Sequence, residues 1–237
     1  MTQGLAIVPN MVNLASGAAV TDVVYVHGLW KSGNESLILR RRLVNEFGFR
    51  MHVFRYSSVS SMTQITTRLA SFVRELQSPT LCWVGHCLGG LVIYRFLERY
   101  PAQPPGRVVL LACPSRGSRS AACAGRTKLV TRLMGKAVAE ELLRPRERRW
   151  ETDRDLGIIA GTRPLGLGQF VARFDEDYDG TVGVSETRLP GATDHLVLPV
   201  SHHGMLFSAR VALETGLFLQ RGSFSVGELS PACLQAR

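Results

Sequence analysis

The sequence predicts an α/β fold, a mainly parallel sheet with helices on both faces and a small inserted cap. Three observations carry that expectation. Short apolar runs of strand length alternate with longer stretches of helical periodicity from Asp22 to Leu217, the pattern of strands joined by crossover helices. One of those runs ends in Gly85-His86-Cys87-Leu88-Gly89-Gly90 and passes straight into a helical pattern, giving strand, tight turn and helix in immediate succession. Finally, 237 residues that are 45% hydrophobic can enclose one substantial core. One domain over 1–237 is expected, with its core at about 20–218.

Asp22 to Val26 is a short apolar run and reads as the first strand. Leu39, Leu43, Val44 and Phe47 then share one helical face, and Met51 to Tyr56 reads as a second strand. Ile65, Leu69, Phe72, Val73 and Leu76 mark a second amphipathic helix before the run Thr80 to Val84, which has the continuous apolar character of a strand buried on both faces. Leu88, Leu91, Val92 and Phe96 recur at helical spacing up to Arg99, and Tyr100-Pro101 ends that helix. Pro104-Pro105-Gly106 is a turn into the strand Arg107 to Ala112. From Ser115 to Trp150 the alternation breaks into an Arg-rich insert with helical character over Lys128 to Leu143. Leu156 to Ala160 resumes the sheet. After an acidic loop and a further apolar run, Leu206, Ala209, Leu213 and Leu217 fall in helical phase. Residues 221–237 carry no clear pattern and are expected to be flexible.

The turn at Cys87 holds the most informative chemistry. Gly85 and Gly89 stand two before and two after it, where a strained strand-to-helix turn demands small residues, as in a nucleophile elbow. A thiol at a helix N-terminus meets aligned peptide dipoles and free N–H groups that favour the thiolate. An acidic loop, Asp175-Glu176-Asp177-Tyr178-Asp179-Gly180, follows the strand at Leu156, and Ser201-His202-His203-Gly204 opens the last helix. The order is therefore nucleophile, acid, histidine. Asp175 and Asp177 stand as alternatives to Asp179, and His203 competes with His202. His86 and His195 read as structural, and Cys82 and Cys113 as core thiols. Trp30 either lines an acyl pocket or packs its own loop.

With the strand-to-loop sequence Val26-His27-Gly28-Leu29-Trp30, these motifs resemble those of the α/β-hydrolase superfamily, and within it the small lipase and esterase branch. The resemblance covers roughly residues 20 to 218. It implies that Asp179 and His202, matched through Asp-Gly-x-Val and His-x-Gly-Met-Leu, complete a triad with residue 87. It also implies that the backbone N–H groups of Leu29 and Leu88 form an oxyanion hole, and that the insert 115–150 is a cap over the site. The departure is Cys87, because those lipases use serine. Dienelactone hydrolases and polyhydroxyalkanoate synthases have cysteine there, but the former lack this His-Gly loop and the latter are much longer chains.

The expected function is hydrolysis of a carboxylic ester or thioester with an apolar acyl group through acyl-Cys87. His202 serves as base, and Asp179 holds its tautomer. A thioester intermediate is open to other nucleophiles, so acyl transfer is the alternative. A hydrolase impaired by replacement of serine, holding an acyl ligand, is a third reading. Five scattered cysteines form neither a disulfide framework nor a C-x-x-C metal pattern, so no metal or organic cofactor is expected and a reduced cytoplasm suits the chain. Residues 1–19 do not read as a signal peptide, and no apolar stretch reaches the about 20 residues needed to span a bilayer. The formal net charge of +9 lacks any basic-aromatic module, which argues against nucleic acid. Its one concentration, from Arg116 to Arg149, suits an anionic acyl donor such as acyl-coenzyme A, an acyl-carrier protein or a phospholipid.

Overall fold

The computed structural model describes residues 20–124, 135–143, 147–165 and 174–225. Six strands form one sheet in the order β2-β1-β3-β4-β5-β6. They are β1 (Asp22–Val26), β2 (Arg50–Phe54), β3 (Leu81–His86), β4 (Val108–Leu111), β5 (Leu156–Gly161) and β6 (Asp194–Leu198). Every pairing is parallel. The chain leaves β1 for β2 on one side and returns to β3 on the other, so the crossovers diverge between β1 and β3. In open parallel sheets the crevice at such a point, beyond the carboxyl ends of the strands, is where ligands bind.

Alternation along the strands divides the core in two. Val24, Val26, Trp83, Val108 and Leu110 face α2 (Met62–Leu76) and α3 (Leu88–Arg99). Val23, Tyr25, Val84, Val109 and Leu111 face α1 (Leu37–Phe47) and a C-terminal helix, Ala209–Arg221. Each fully buried aliphatic or aromatic side chain in these layers contributes roughly 1.5–3 kcal/mol relative to exposure, so the sheet is held from both sides. α2 starts sharply because Ser61 Oγ accepts from the Gln64 N–H while Gln64 Oε1 accepts from the Ser61 N–H, a reciprocal cap on its first turn.

The insert contributes α4 (Arg119–Ala124) and α5 (Lys136–Glu141); of the helical stretch expected over Lys128 to Leu143, residues 128–134 lie outside the described residues. Its two ends dock on different loops. The Arg119 N–H donates to Glu186 Oε1 at 2.7 Å, beside the short helix α6 (Val184–Thr187). On the other side the Ala137 N–H donates to Ser60 O and Glu140 accepts from the Met62 N–H. Those loops follow β5 and β2, so the insert bridges the carboxyl edge of the sheet. A buried ion pair anchors it: Arg148 meets Glu141 at 2.6 Å, and Glu141 also meets Arg95 of α3 at 3.0 Å.

Three local expectations are corrected. Val44 is 43% exposed rather than on the buried face of α1, which is carried by Leu39 and Leu43. The last helix, α7 (Ala209–Arg221), buries Val211, Ala212, Thr215, Phe218 and Leu219, not the Leu206, Ala209, Leu213, Leu217 phase. Leu206 belongs to a separate 3-10 turn, Gly204–Leu206, and the helix restarts behind the Ser208 cap with a new phase. The fold also continues past Arg221: Gly222 closes α7 at φ 82°, and Phe224 is buried with its ring 4.8 Å from Phe218. Residues 226–237 of the expected flexible tail lie outside the described residues.

Candidate active site

β3 ends at His86 and α3 begins at Leu88, which leaves Cys87 alone to make the turn. Its backbone lies at φ 53°, ψ −122°, a conformation costing about 1–3 kcal/mol for a residue with a side chain. The surroundings hold it there: the Cys87 N–H donates to Leu111 O at 2.9 Å, and Cys87 O accepts from the Gly90 N–H at 3.0 Å. The flanking glycines are sterically required. A Cβ at Gly89 would lie 2.1 Å from Val26 O, and one at Gly85 would lie 2.7 Å from Gly90 Cα. α3 can therefore press against β1 only without those side chains, and that closeness brings the turn beside the His-Gly loop.

His202 follows β6 and is 3% exposed; Asp179 follows β5 and is 1% exposed. His202 Nδ1 lies 2.7 Å from Asp179 Oδ2. The other carboxylate oxygen accepts from the Thr181 and Val182 N–H groups at 2.9 and 2.7 Å, and the His202 N–H donates to Asp179 O at 2.9 Å. The Asp-Gly-x-Val segment thus supplies the amides that fix its own carboxylate. Burial alone would lower the His202 pKa, but the Asp179 charge and hydrogen bond and the Cys87 thiol together outweigh it and push it up to about 10. With Nδ1 on Asp179, Nε2 is the nitrogen left free for a proton exchanged with Cys87.

The competing candidates are elsewhere. Asp175, Asp177 and His203 are exposed. His195 sits in β6 with Nε2 2.8 Å from Thr187 Oγ1. His86 is buried and donates Nε2–H to His202 O at 2.9 Å. Burial and the neighbouring His202 hold its pKa well below the usual imidazole value, so it stays neutral beneath the His202 loop. Cys82 and Cys113 are buried, and burial raises both thiols, Cys113 to about 12. Cys87, by contrast, is half-exposed.

Leu88 N–H opens α3, and Leu29 N–H follows the His-Gly pair. Among the described residues neither amide donates within the protein. Trp30 is 65% exposed at φ 54°, with its N–H donating to Ser58 Oγ at 3.1 Å. Most of its side chain is therefore exposed to solvent. Sequence reasoning passed over Tyr56, read as the end of a strand; it lies beyond β2, buried, with its ring stacked on His27 at 4.3 Å.

Two arginines counted as cap charge are occupied internally: Arg148 by Glu141 and two carbonyls, Arg119 by Glu176 and Glu186. Among the described residues no group of three or more His, Cys, Asp and Glu side chains could hold a metal ion. No described helix is long and apolar enough to cross a membrane. A cavity of about 840 Å³ lies at the amino ends of β3, β4 and β5, against Thr80, Arg107 and Asp155. That is the opposite edge of the sheet from Cys87.

No family model and no curated protein matches the sequence. Solved structures do resemble this one. The mature lipase BlEst2 of Bacillus licheniformis aligns over 86% of this chain and 92% of its own, with a TM-score of 0.66 and 19% identity. The phospholipase PlaB of Legionella pneumophila aligns with a TM-score of 0.66 at 16% identity, over 83% of this chain and 56% of its own. The thioesterase RedJ, from the prodiginine biosynthetic pathway of Streptomyces coelicolor, gives a TM-score of 0.54 at 14% identity, over 84% of this chain and 86% of its own. The shared architecture is the α/β-hydrolase fold.

Proposed function

We propose that this α/β-hydrolase-fold chain cleaves a carboxylic ester or thioester with an apolar acyl group through an acyl-Cys87 intermediate. The observation that carries the reading is the strained Cys87 turn at the start of α3, facing an imidazole whose far nitrogen is 2.7 Å from a buried carboxylate. The Cys87 thiol gives its proton to His202 Nε2 before the attack, and the thiolate so formed beside the imidazolium attacks the carbonyl carbon with Sγ. The carbonyl oxygen becomes an oxyanion, received by the amides of Leu29 and Leu88. Collapse breaks the bond to the alcohol or thiol, which leaves with the proton from His202. Water then gives a proton to His202 and attacks the thioester, and Cys87 departs with that proton restored. Asp179 holds the imidazole in the tautomer with hydrogen on Nδ1 throughout.

The names of the structural relatives, a lipase, a phospholipase and a thioesterase, support the ester and thioester class. A reducing cytoplasm would preserve the free thiol. For an anionic acyl donor the remaining support is smaller than the sequence implies, since Arg119 and Arg148 are already occupied; Arg116 and Arg149 are exposed. Activity on acyl-coenzyme A that falls with rising salt would retain that donor class.

The test mixes the protein with short and medium p-nitrophenyl esters and with an acyl-coenzyme A, following product and the mass of the Cys87 peptide. Turnover with an acyl adduct on Cys87, absent in Cys87→Ala, is expected. Adduct that moves to an added alcohol or thiol faster than to water would redefine the enzyme as an acyltransferase. No turnover and no adduct in the natural chain, with esterase activity in Cys87→Ser, would overturn the cysteine mechanism.

A further inference from the structure

An oxyanion hole needs its two amides to converge, and only one is fixed by regular structure. Leu88 N–H is aimed by α3. Leu29 N–H sits in a loop between β1 and α1, so something outside that loop must orient it. The peptide joining Gly28 to Leu29 is planar, which makes the Gly28 C=O and the Leu29 N–H point in opposite directions along one rigid unit. Holding the carbonyl therefore aims the amide.

Two donors hold that carbonyl: the His27 ring through Nδ1 at 2.8 Å, and the Lys31 N–H at 3.3 Å. Ring-nitrogen roles follow from the partners. The Tyr56 N–H donates to His27 Nε2 at 3.2 Å, which places the ring hydrogen on Nδ1, facing Gly28 O. The Tyr56 hydroxyl returns to donate to His27 O at 2.8 Å, and the two rings stack 4.3 Å apart at 9°. Both side chains are buried, His27 fully.

We infer that His27 and Tyr56 act together as positioning residues for the oxyanion hole, locking the Gly28-Leu29 peptide so that the Leu29 N–H faces the carbonyl attacked by Cys87. Burial lowers the His27 pKa and raises that of Tyr56 well above its usual value. Both groups thus keep the neutral forms that this bonding needs across the working pH range.

The inference rests on the proposed acyl-Cys87 chemistry, and the experiment separates the two. His27→Phe keeps a ring on Tyr56 but loses both nitrogens; Tyr56→Phe loses only the hydroxyl bond. Each is compared with the natural chain in p-nitrophenyl butyrate hydrolysis and in alkylation of Cys87 by iodoacetamide. Displacement at the iodoacetamide carbon forms no oxyanion, so it reports the thiol and His202 alone. Removing one oxyanion donor costs about 10²–10³ in kcat. His27→Phe is expected to lose about 10²-fold and Tyr56→Phe about 10-fold, with KM and alkylation rate within about twofold. A kcat within about threefold of the natural chain in Tyr56→Phe and in folded His27→Phe overturns the inference. So does alkylation that falls in step with hydrolysis, which would indicate general disruption. No acylation by the natural chain refutes the proposed function itself, and the positioning role falls with it.

Discussion

Asp179→Asn changes one oxygen for an amide in a site where, among the described residues, the imidazole has no other carboxylate partner in hydrogen-bonding contact. In the natural chain the His202 pKa is pushed from 6.5 to about 10, equivalent to about 5 kcal/mol in favour of the imidazolium. Asparagine removes the charge that dominates this rise but leaves the burial that opposes it. The His202 pKa should then fall well below its raised value, since only the Cys87 contribution is left to oppose burial. The buried asparagine also presents an amide that can orient the ring wrongly, since its NH₂ donates where the carboxylate accepted. Two measurements check this: nitrogen-detected NMR titration of the His202 ring, and ester acylation of Cys87 in single turnover. The natural chain should titrate near pH 10 at His202, and the variant should titrate at clearly lower pH with acylation slower by about 10³-fold. A natural-chain His202 that titrates near 6.5, or a variant that acylates at an unchanged rate, would refute the electrostatic argument.

The same buried pair makes stability depend on pH. Because the folded-state pKa of His202 lies above its unfolded value, its contribution is complete below about pH 6.5 and is lost as pH rises through about 10. Thermal melts should therefore show a decline over that window that is smaller in His202→Gln. Gly89→Ala should fail to keep the elbow, because its Cβ would meet Val26 O at 2.1 Å; loss of soluble folded protein or a large Tm fall is expected, and a Tm equal to the natural chain's would contradict the close approach. Arg148→Met leaves Glu141 buried with only Arg95 beside it, a change of about 3 kcal/mol or a Tm fall of roughly 6–12 °C by calorimetry. Phe224→Ala should cost about 3 kcal/mol in urea unfolding, whereas a contribution near zero would mean that the chain after α7 adds nothing to the core.

The local sequence around Cys87 contains its own geometry: an apolar run, glycines two before and two after, and a helical continuation leave few other ways to make the turn. The alternation of strands and helices likewise determined a parallel sheet, because each short apolar run needs a crossover before the next can pair beside it. Asp179 was marked by the Gly180-Thr181-Val182 continuation, in which the Thr181 and Val182 amides donate to its carboxylate. Periodicity was less decisive for α7: a break at Ser208 resets the helical phase, and only contact with the sheet and α1 shows which face is buried. Charge counting similarly overstated the cap, since the partners of Arg119 and Arg148 become visible only once Glu176, Glu186 and Glu141 are brought beside them. The same holds for His27 and Tyr56, which are 29 residues apart. No local propensity encodes their stacking or the tautomer it sets. The sequence by itself determined where a nucleophile could stand and in what order its partners follow. The tertiary structure decided which carboxylate and which histidine meet, and which ring meets the Gly28 carbonyl, because hydrogen bonds between distant loops exist only after the sheet has fixed the spacing of its strand ends.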